Sequence, residues 1–330
     1  MKSVSMGVKC RAAVAIVFIL LLLGTLWIYG KLENRLDACP KFHNPKDKMV
    51  FNRNVSDPES TEWLELCPGQ TFQVALLFSH LQSAPLGPGD VLMEPYLSSW
   101  DELIKFMTAL GPLVGAVTAE IETKTSIIRQ LAKEEEERMR TEGGSGMGGG
   151  GGGVGMPGVG GILGEAKSDN DLGVHLPSAP TGGSTSLGAY DSVESMIAAE
   201  LSRGQVDYHT FTNSGCRTLL RLHRALLWLQ QFLSKLSEGP DPHTGAMRSP
   251  SDLCADAYKH TLANHHQWWV RRMAELAFLS MPDRTFFYRL ICVQDQEEAT
   301  VILRKVVNAI DVVYNRTEKA LAQHGMLDLP

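Results

Sequence analysis

Hydrophobic residues recur every three or four positions along most of this chain, and this spacing places them on one face of an α-helix. The pattern is clearest in residues 215–236, GCRTLLRLHRALLWLQQFLSKL, which Gly239 and Pro240 follow as a stop. Leu220, Leu227 and Trp228 widen the apolar face of this segment beyond one stripe. We therefore predict a helix that is buried over most of its surface.

The same spacing predicts that the rest of the chain is also helical. Gly111 and Pro112 interrupt the longest of these segments and predict a kink there. Ser251 is the expected N-cap of another helix, and Pro282 follows its end. Alternating patterns typical of strands are hard to find, so the predicted class is all-α. The further predicted helices span residues 69–82, 90–142, 190–206, 251–281, 285–292 and 297–324.

Two segments depart from this pattern and suggest the domain organisation. Residues 12–29 carry no charge and have about the length of a bilayer span, which predicts an N-terminal transmembrane signal anchor over residues 1–30. A cleaved signal peptide is the alternative. Glycine dominates residues 143–188, which we predict to be a disordered insertion. Residues 31–66 then form a polar stalk and residues 67–330 the helical domain.

The sequence leaves open which side of the membrane this domain occupies, because basic residues flank both ends of the apolar segment. On the luminal or extracellular side, Asn54-Val55-Ser56 is a glycosylation acceptor, and Cys39 with Cys67 is a possible disulfide. On the cytosolic side Asn54 is not glycosylated and the two cysteines stay reduced.

Composition excludes several classes of function. The chain has 330 residues and a net charge of −6 without a long basic run, which argues against a nucleic-acid partner. The six cysteines form no CxxC pair, and adjacent His265 and His266 point in different directions on a helix, so we expect no metal site and no cofactor. No nucleophile elbow, HExxH motif or pair of catalytic carboxylates occurs, which argues against an enzyme.

Charged residues within the apolar helices indicate a candidate site. Arg217, Arg221 and Arg224 stand at positions i, i+4 and i+7, which aligns three guanidinium groups on one line of a helix. Such cations need partners, and these are either carboxylates from another helix or an anionic ligand such as a phosphate. Glu120 and Lys124 stand at i and i+4, where they form either a surface ion pair or part of that site.

Three long motifs carry a resemblance to a known family. CRTLLRLHRALLWLQQFL, LCADAYKHTLANHHQWWVRR and VVYNRTEKALAQHGMLDLP resemble the glycolipid transfer protein superfamily, and within it the ceramide-1-phosphate branch. The resemblance covers about residues 69–142 and 190–330. It implies a two-layer helical sandwich that opens to admit lipid chains between its layers and has a surface cavity for the head group.

The resemblance also implies the roles of individual residues. Lys124, Arg217 and Arg221 match the residues of the family that bind phosphate, and His266 matches its ceramide-binding histidine. Glu120 stands where the family has an aspartate for the ceramide amide; the charge is kept, and the extra methylene shifts the carboxylate by about an ångström. Arg217 replaces a tryptophan on which the glycolipid branch stacks its sugar, which favours phosphate over sugar.

These features together predict a sphingolipid-binding and intermembrane lipid transfer protein, with ceramide 1-phosphate as its ligand. A membrane-tethered lipid sensor or adaptor that binds without net transfer is the alternative. The expected partners are the lipid and a phospholipid membrane surface, and the expected state is a monomer. Trp268, Trp269 and the region of Trp100 are candidates for membrane contact, with plain core packing as the alternative for each.

Overall fold

The computed structural model describes residues 64, 66–144, 187–210, 212–241 and 243–330. The compact unit Glu65–Pro330 contains the helices, and the mostly helical fold confirms the predicted class. A two-stranded hairpin of β1 (Pro85–Leu86) and β2 (Asp90–Val91) was not predicted. The helices of the described residues are α1 (Val74–Ser83), α2 (Met93–Ala109), α3 (Pro112–Gly144), α4 (Val193–Ser202), α5 (Gly215–Leu236), α6 (Pro250–His260), α7 (Trp268–Leu279), α8 (Arg284–Leu290) and α9 (Gln296–Gln323), with a 3₁₀ turn at Leu262–His265.

Helix α5 is the central element and has the predicted bounds. It packs against α3, α4, α6 and α9. Its leucines and Trp228 are almost all buried, as the broad apolar face predicted. Phe232 extends this core into an aromatic cluster, because its ring lies 5.9 Å from that of Phe287, which in turn lies 6.1 Å from Phe106.

Two of the predicted helices are broken. The segment 90–142 separates into α2 and α3 at Gly111, whose φ of 115° favours glycine, and Pro112 begins α3. The predicted helix 251–281 was wrong as a continuous element, because Thr261 leaves the helical region with φ −122° and ψ −81°. Its N-cap is Ser249 rather than Ser251, and the Oγ of Ser249 accepts a hydrogen bond from the Asp252 N–H at 3.1 Å.

One disulfide among the described residues joins the start of the unit to the segment between α8 and α9. Cys67 bonds Cys292 across 225 residues of sequence, so the suggested Cys39–Cys67 pair is wrong. Cys216 and Cys254 are buried free thiols within the helical core.

Several predictions fall on residues that lie outside the described ranges. The anchor 1–30, most of the stalk 31–66 and nearly all of the insertion 143–188 belong to this group. In the part of the chain that is described, no helix is both long enough and apolar enough to cross a bilayer.

Candidate functional site

The start of α5 is fixed by polar contacts, and this fixes the arginines that follow. The Oγ of Ser214 accepts a hydrogen bond from the Arg217 N–H at 3.1 Å. The buried carboxylate of Glu200 accepts hydrogen bonds from the N–H groups of Gly215 and Cys216, the second at 3.0 Å. A Cβ at Gly215 would lie 2.6 Å from the sulfur of Met196, so glycine is required for α4 to approach this closely. The first turn of α5 therefore has little freedom to move.

Arg217, Arg221 and Arg224 form a partly desolvated row of positive charge along α5. Burial, followed by repulsion from the other two arginines, lowers the pKa of Arg221 to about 10. Burial also lowers the pKa of Arg217, and that of Arg224 against the opposing effect of Asp328 and Glu318. An anion at this row would relieve the repulsion, so the row is an electrostatically favourable place for a phosphate.

The segment 326–330, which we call the strap, lies along this row. The main-chain oxygen of Leu329 accepts a hydrogen bond from Nη1 of Arg221 at 3.2 Å, and that of Leu327 accepts one from Nη2 of Arg224 at 2.6 Å. The oxygen of Pro330 accepts from Nη2 of Arg221 at 2.8 Å and also from Nε of Arg217. Sequence reasoning missed this contact, because main-chain acceptors leave no trace in side-chain patterns.

Glu120 and Lys124 form the predicted ion pair on α3. The Lys124 Nζ lies 2.7 Å from Oε1 of Glu120, and the two side chains are 24% and 67% exposed. Because a carboxylate has two oxygens, this pair leaves the second oxygen of Glu120 able to accept from a ligand.

His266 follows the 3₁₀ turn and is oriented by Tyr258 on α6. The Tyr258 hydroxyl lies 2.7 Å from Nδ1 of His266. Burial, and then the neighbouring His265, lowers the pKa of His266, while burial raises the pKa of Tyr258 to about 12. Both groups are therefore neutral at pH 7. A tyrosine hydroxyl that donates to Nδ1 leaves the Nε2–H of His266 to donate to a carbonyl.

His265 is a residue of this region that sequence reasoning missed. Burial, and then Arg224 and Arg221, lower its pKa, whereas Asp328 raises it, so this imidazole lies beside the arginine row. Its adjacency to His266 was considered only as a metal site. Among the described residues, no group of three or more metal-ligating side chains comes together.

The five predicted site residues thus appear in three local groups. Arg217 and Arg221 both donate hydrogen bonds to the strap. Glu120 forms an ion pair with Lys124, and His266 contacts Tyr258. Packing of α3 and the 3₁₀ turn on α5 brings the three elements together. Convergence of all five side chains on one ligand stays a prediction.

A groove of about 980 Å³ lies elsewhere, between the start of α2, the second half of α3 and residues 187–191. Leu97, Ile128 and Met139 contribute apolar side chains to it, and Arg129 and Lys133 contribute charged ones. None of the five predicted residues lines this groove, so it is distinct from the arginine row.

Comparison with known proteins identifies the family. The model of the family described as "Glycolipid transfer protein (GLTP)" matches residues 175–293. Human ceramide-1-phosphate transfer protein is 33% identical over 245 residues, which cover 73% of this chain and 88% of that protein. This chain belongs to the glycolipid transfer protein family. The ceramide-1-phosphate transfer protein of Xenopus tropicalis, another relative, is 32% identical over the same shares of the two chains.

Solved structures of the family share this fold. The apo form of mouse ceramide-1-phosphate transfer protein superposes with a TM-score of 0.58 at 27% identity, covering 78% of this chain and 100% of that one. The human protein in complex with 12:0 ceramide 1-phosphate gives a TM-score of 0.55 at 31% identity, covering 78% and 98%. The family consists of lipid transfer proteins rather than enzymes, and membership in it supports sphingolipid binding or transfer.

Proposed function

We propose that this chain binds ceramide 1-phosphate and moves it between membranes. The arginine row carries the proposal, because burial lowers the pKa of all three arginines and Arg221 is also repelled by the other two, so these cations gain from an anionic ligand. Family membership and the complex of the human relative with 12:0 ceramide 1-phosphate support the choice of lipid.

The proposed contacts divide the lipid head group among the three local groups. Arg217 and Arg221 bind the phosphate through charge-assisted hydrogen bonds, and Lys124 adds a third cation. The carboxylate oxygen of Glu120 that does not contact Lys124 accepts hydrogen bonds from the ceramide amide N–H and hydroxyl. His266 donates its Nε2–H to the amide carbonyl. The lipid chains enter the helical interior, where they exchange one apolar environment for another, so the head group supplies the net affinity.

We propose further that α7 contacts the membrane. Trp268 and Trp269 are 71% and 53% exposed, and Leu276 and Leu279 on the same helix are 51% and 77% exposed. Trp100, by contrast, has no exposed surface, so it belongs to the core and is excluded as a membrane contact. Exposed apolar side chains on one helix gain most when they enter the acyl region of a bilayer.

The disulfide supports the luminal or extracellular side for this domain, which we propose as its location. A bond such as Cys67–Cys292 forms and persists in the secretory pathway and outside the cell, whereas the cytosol keeps thiols reduced. On that side Asn54 lies within a glycosylation acceptor, as the sequence suggested. A shift in the electrophoretic mobility of the cellular protein after glycosidase treatment is expected. A cellular protein with free Cys67 and no glycan would contradict this location.

Transfer between vesicles tests the function. We expect the unit Glu65–Pro330, which retains Cys67, to move fluorescent ceramide 1-phosphate from donor to acceptor vesicles, and to move glucosylceramide poorly. Arg217→Leu should abolish transfer and leave helicity unchanged. Arg304→Leu, an exposed arginine on α9, is the matched control and should transfer normally. Binding without transfer would instead support the sensor or adaptor, and absence of binding would contradict both.

A further inference from the structure

The strap contacts the arginine row in the manner of a bound anion. One oxygen, that of Pro330, accepts hydrogen bonds from both Arg217 and Arg221. An oxygen shared by two guanidinium groups is the arrangement that a phosphate oxygen adopts between two arginines. Both terminal nitrogens of Arg221 donate to the strap, so its fork is engaged before any ligand arrives.

The strap is held by a small number of contacts. Two of its apolar side chains are buried anchors, since Met326 has no exposed surface and Leu329 is 4% exposed. The N–H of Met326 donates to the carbonyl of Leu321 at 2.8 Å, and Gly325 reverses the chain with φ 65°. Leu327, Asp328 and Pro330 remain wholly or partly exposed. Release of this segment is a local opening that exposes Leu329 and leaves the helices beneath it folded.

We propose that the strap, residues 326–330, is a built-in competitor that occupies the arginine row in the empty protein and is displaced by the phosphate of the lipid. The inference rests on the proposed function of the row. Since only the protein with an open strap can bind, the apparent affinity is the intrinsic affinity reduced by the open fraction. Return of the strap then helps to expel the phosphate when the protein reaches an acceptor membrane.

A variant that loosens the strap tests the competition. Leu329→Ala removes an anchor and leaves the arginines untouched. We expect the full chain with this change to bind 2:0 ceramide 1-phosphate about tenfold more tightly, because truncating a buried leucine destabilises the closed strap and raises the open fraction. Titration followed by tryptophan fluorescence measures this. The matched control is Leu303→Ala, which truncates an equally buried leucine, since Leu303 is 3% exposed. Leu303 lies on α9, roughly 27 Å along the helix from Leu321, to which Met326 of the strap is hydrogen-bonded. Its affinity should not change.

Hydrogen exchange provides a second measurement that needs no variant. On addition of saturating 2:0 ceramide 1-phosphate to the wild-type chain, we expect the amides of Leu327–Leu329 to exchange faster. Unchanged or slower exchange, or equal or weaker binding by Leu329→Ala, would overturn the competition and leave the proposed function intact. If neither chain binds the lipid, the proposed function fails and the competition fails with it.

Discussion

Replacing Arg221 by leucine should stabilise the empty protein while abolishing its response to lipid. The folded state binds the Arg221 proton less well than the unfolded chain does, because burial and Arg217 lower the pKa from 12.5 to about 10. The charged side chain therefore costs stability at every pH below about 10, which includes pH 7. A tenfold change in proton affinity corresponds to about 1.4 kcal/mol. The shift in the pKa of Arg221 therefore sets an upper limit of about 3 kcal/mol on the stability that its charge costs the folded protein.

The net gain is smaller than this limit. Arg221 is partly exposed, so solvent screening reduces the electrostatic cost. Leucine also removes the hydrogen bonds to Leu329 and Pro330, although water can reach the second of these acceptors. We expect a net gain of about 1 kcal/mol in the free energy of unfolding, which raises Tm by about 2–4 °C in a domain of this size.

Thermal unfolding with and without 2:0 ceramide 1-phosphate measures both effects. At a lipid concentration of about 100 times Kd, the wild-type chain should gain about 2.7 kcal/mol, and Arg221→Leu should gain nothing. Arg304→Leu, the exposed control, should match the wild-type chain in both conditions. The reasoning is refuted if Arg221→Leu lowers Tm in the absence of lipid, or if lipid still raises its Tm as much as that of the wild-type chain.

Three further predictions concern other parts of the molecule. Cys67→Ser should lower the free energy of unfolding by as much as about 5 kcal/mol, because the disulfide closes a loop of 225 residues in the unfolded chain. A reductant should cause the same loss in the wild-type chain. Equal Tm values for the variant and the oxidised wild-type chain would contradict this. Trp268→Ser should weaken binding to phospholipid vesicles about tenfold with Tm unchanged, since the side chain is exposed; sedimentation with vesicles measures it, and unchanged binding would exclude Trp268 from the membrane contact. Acidification should destabilise the protein below about pH 6.5. Burial lowers the pKa of His223 and His266, so the unfolded chain takes up protons at these positions before the folded protein does. The free energy of unfolding should fall by up to about 1.4 kcal/mol per pH unit for each histidine. Urea midpoints at pH 7.5 and 5.5 measure this loss, and equal midpoints would refute it.

The helix that carries the arginines was predictable because its local signals agree with its tertiary role. Its apolar period is unbroken, Ser214 caps its start, and Gly239 and Pro240 follow its end. The alignment of Arg217 with Arg221 follows from the same period. Sequence therefore predicted both the central helix and the row of charge on it.

The break after α6 was not predictable in the same way. Residues 251–281 contain no internal glycine or proline, and their apolar period continues through Thr261. The Thr261 hydroxyl donates to the carbonyl of Ala257 at 2.8 Å as the chain leaves α6, a local side chain–backbone bond that the apolar period does not reveal. The break starts α7 at Trp268 and leaves that side chain exposed.

Pairings over long separations were equally hidden. Nothing in the spacing of the cysteines selects Cys292 as the partner of Cys67, because the fold alone brings them together. The strap presents the same difficulty, since the groups that reach Arg217 and Arg221 are main-chain oxygens.

The Cys67–Cys292 bond has a consequence for the integrity of the molecule. Every peptide bond of the glycine-rich segment lies between these two cysteines in sequence, so the bond encloses that segment within a covalent ring. A protease that cuts there opens the ring, but the disulfide still joins the two resulting fragments. The nicked protein would keep α1–α3 joined to α4–α9, and its two fragments would separate on a gel only after reduction.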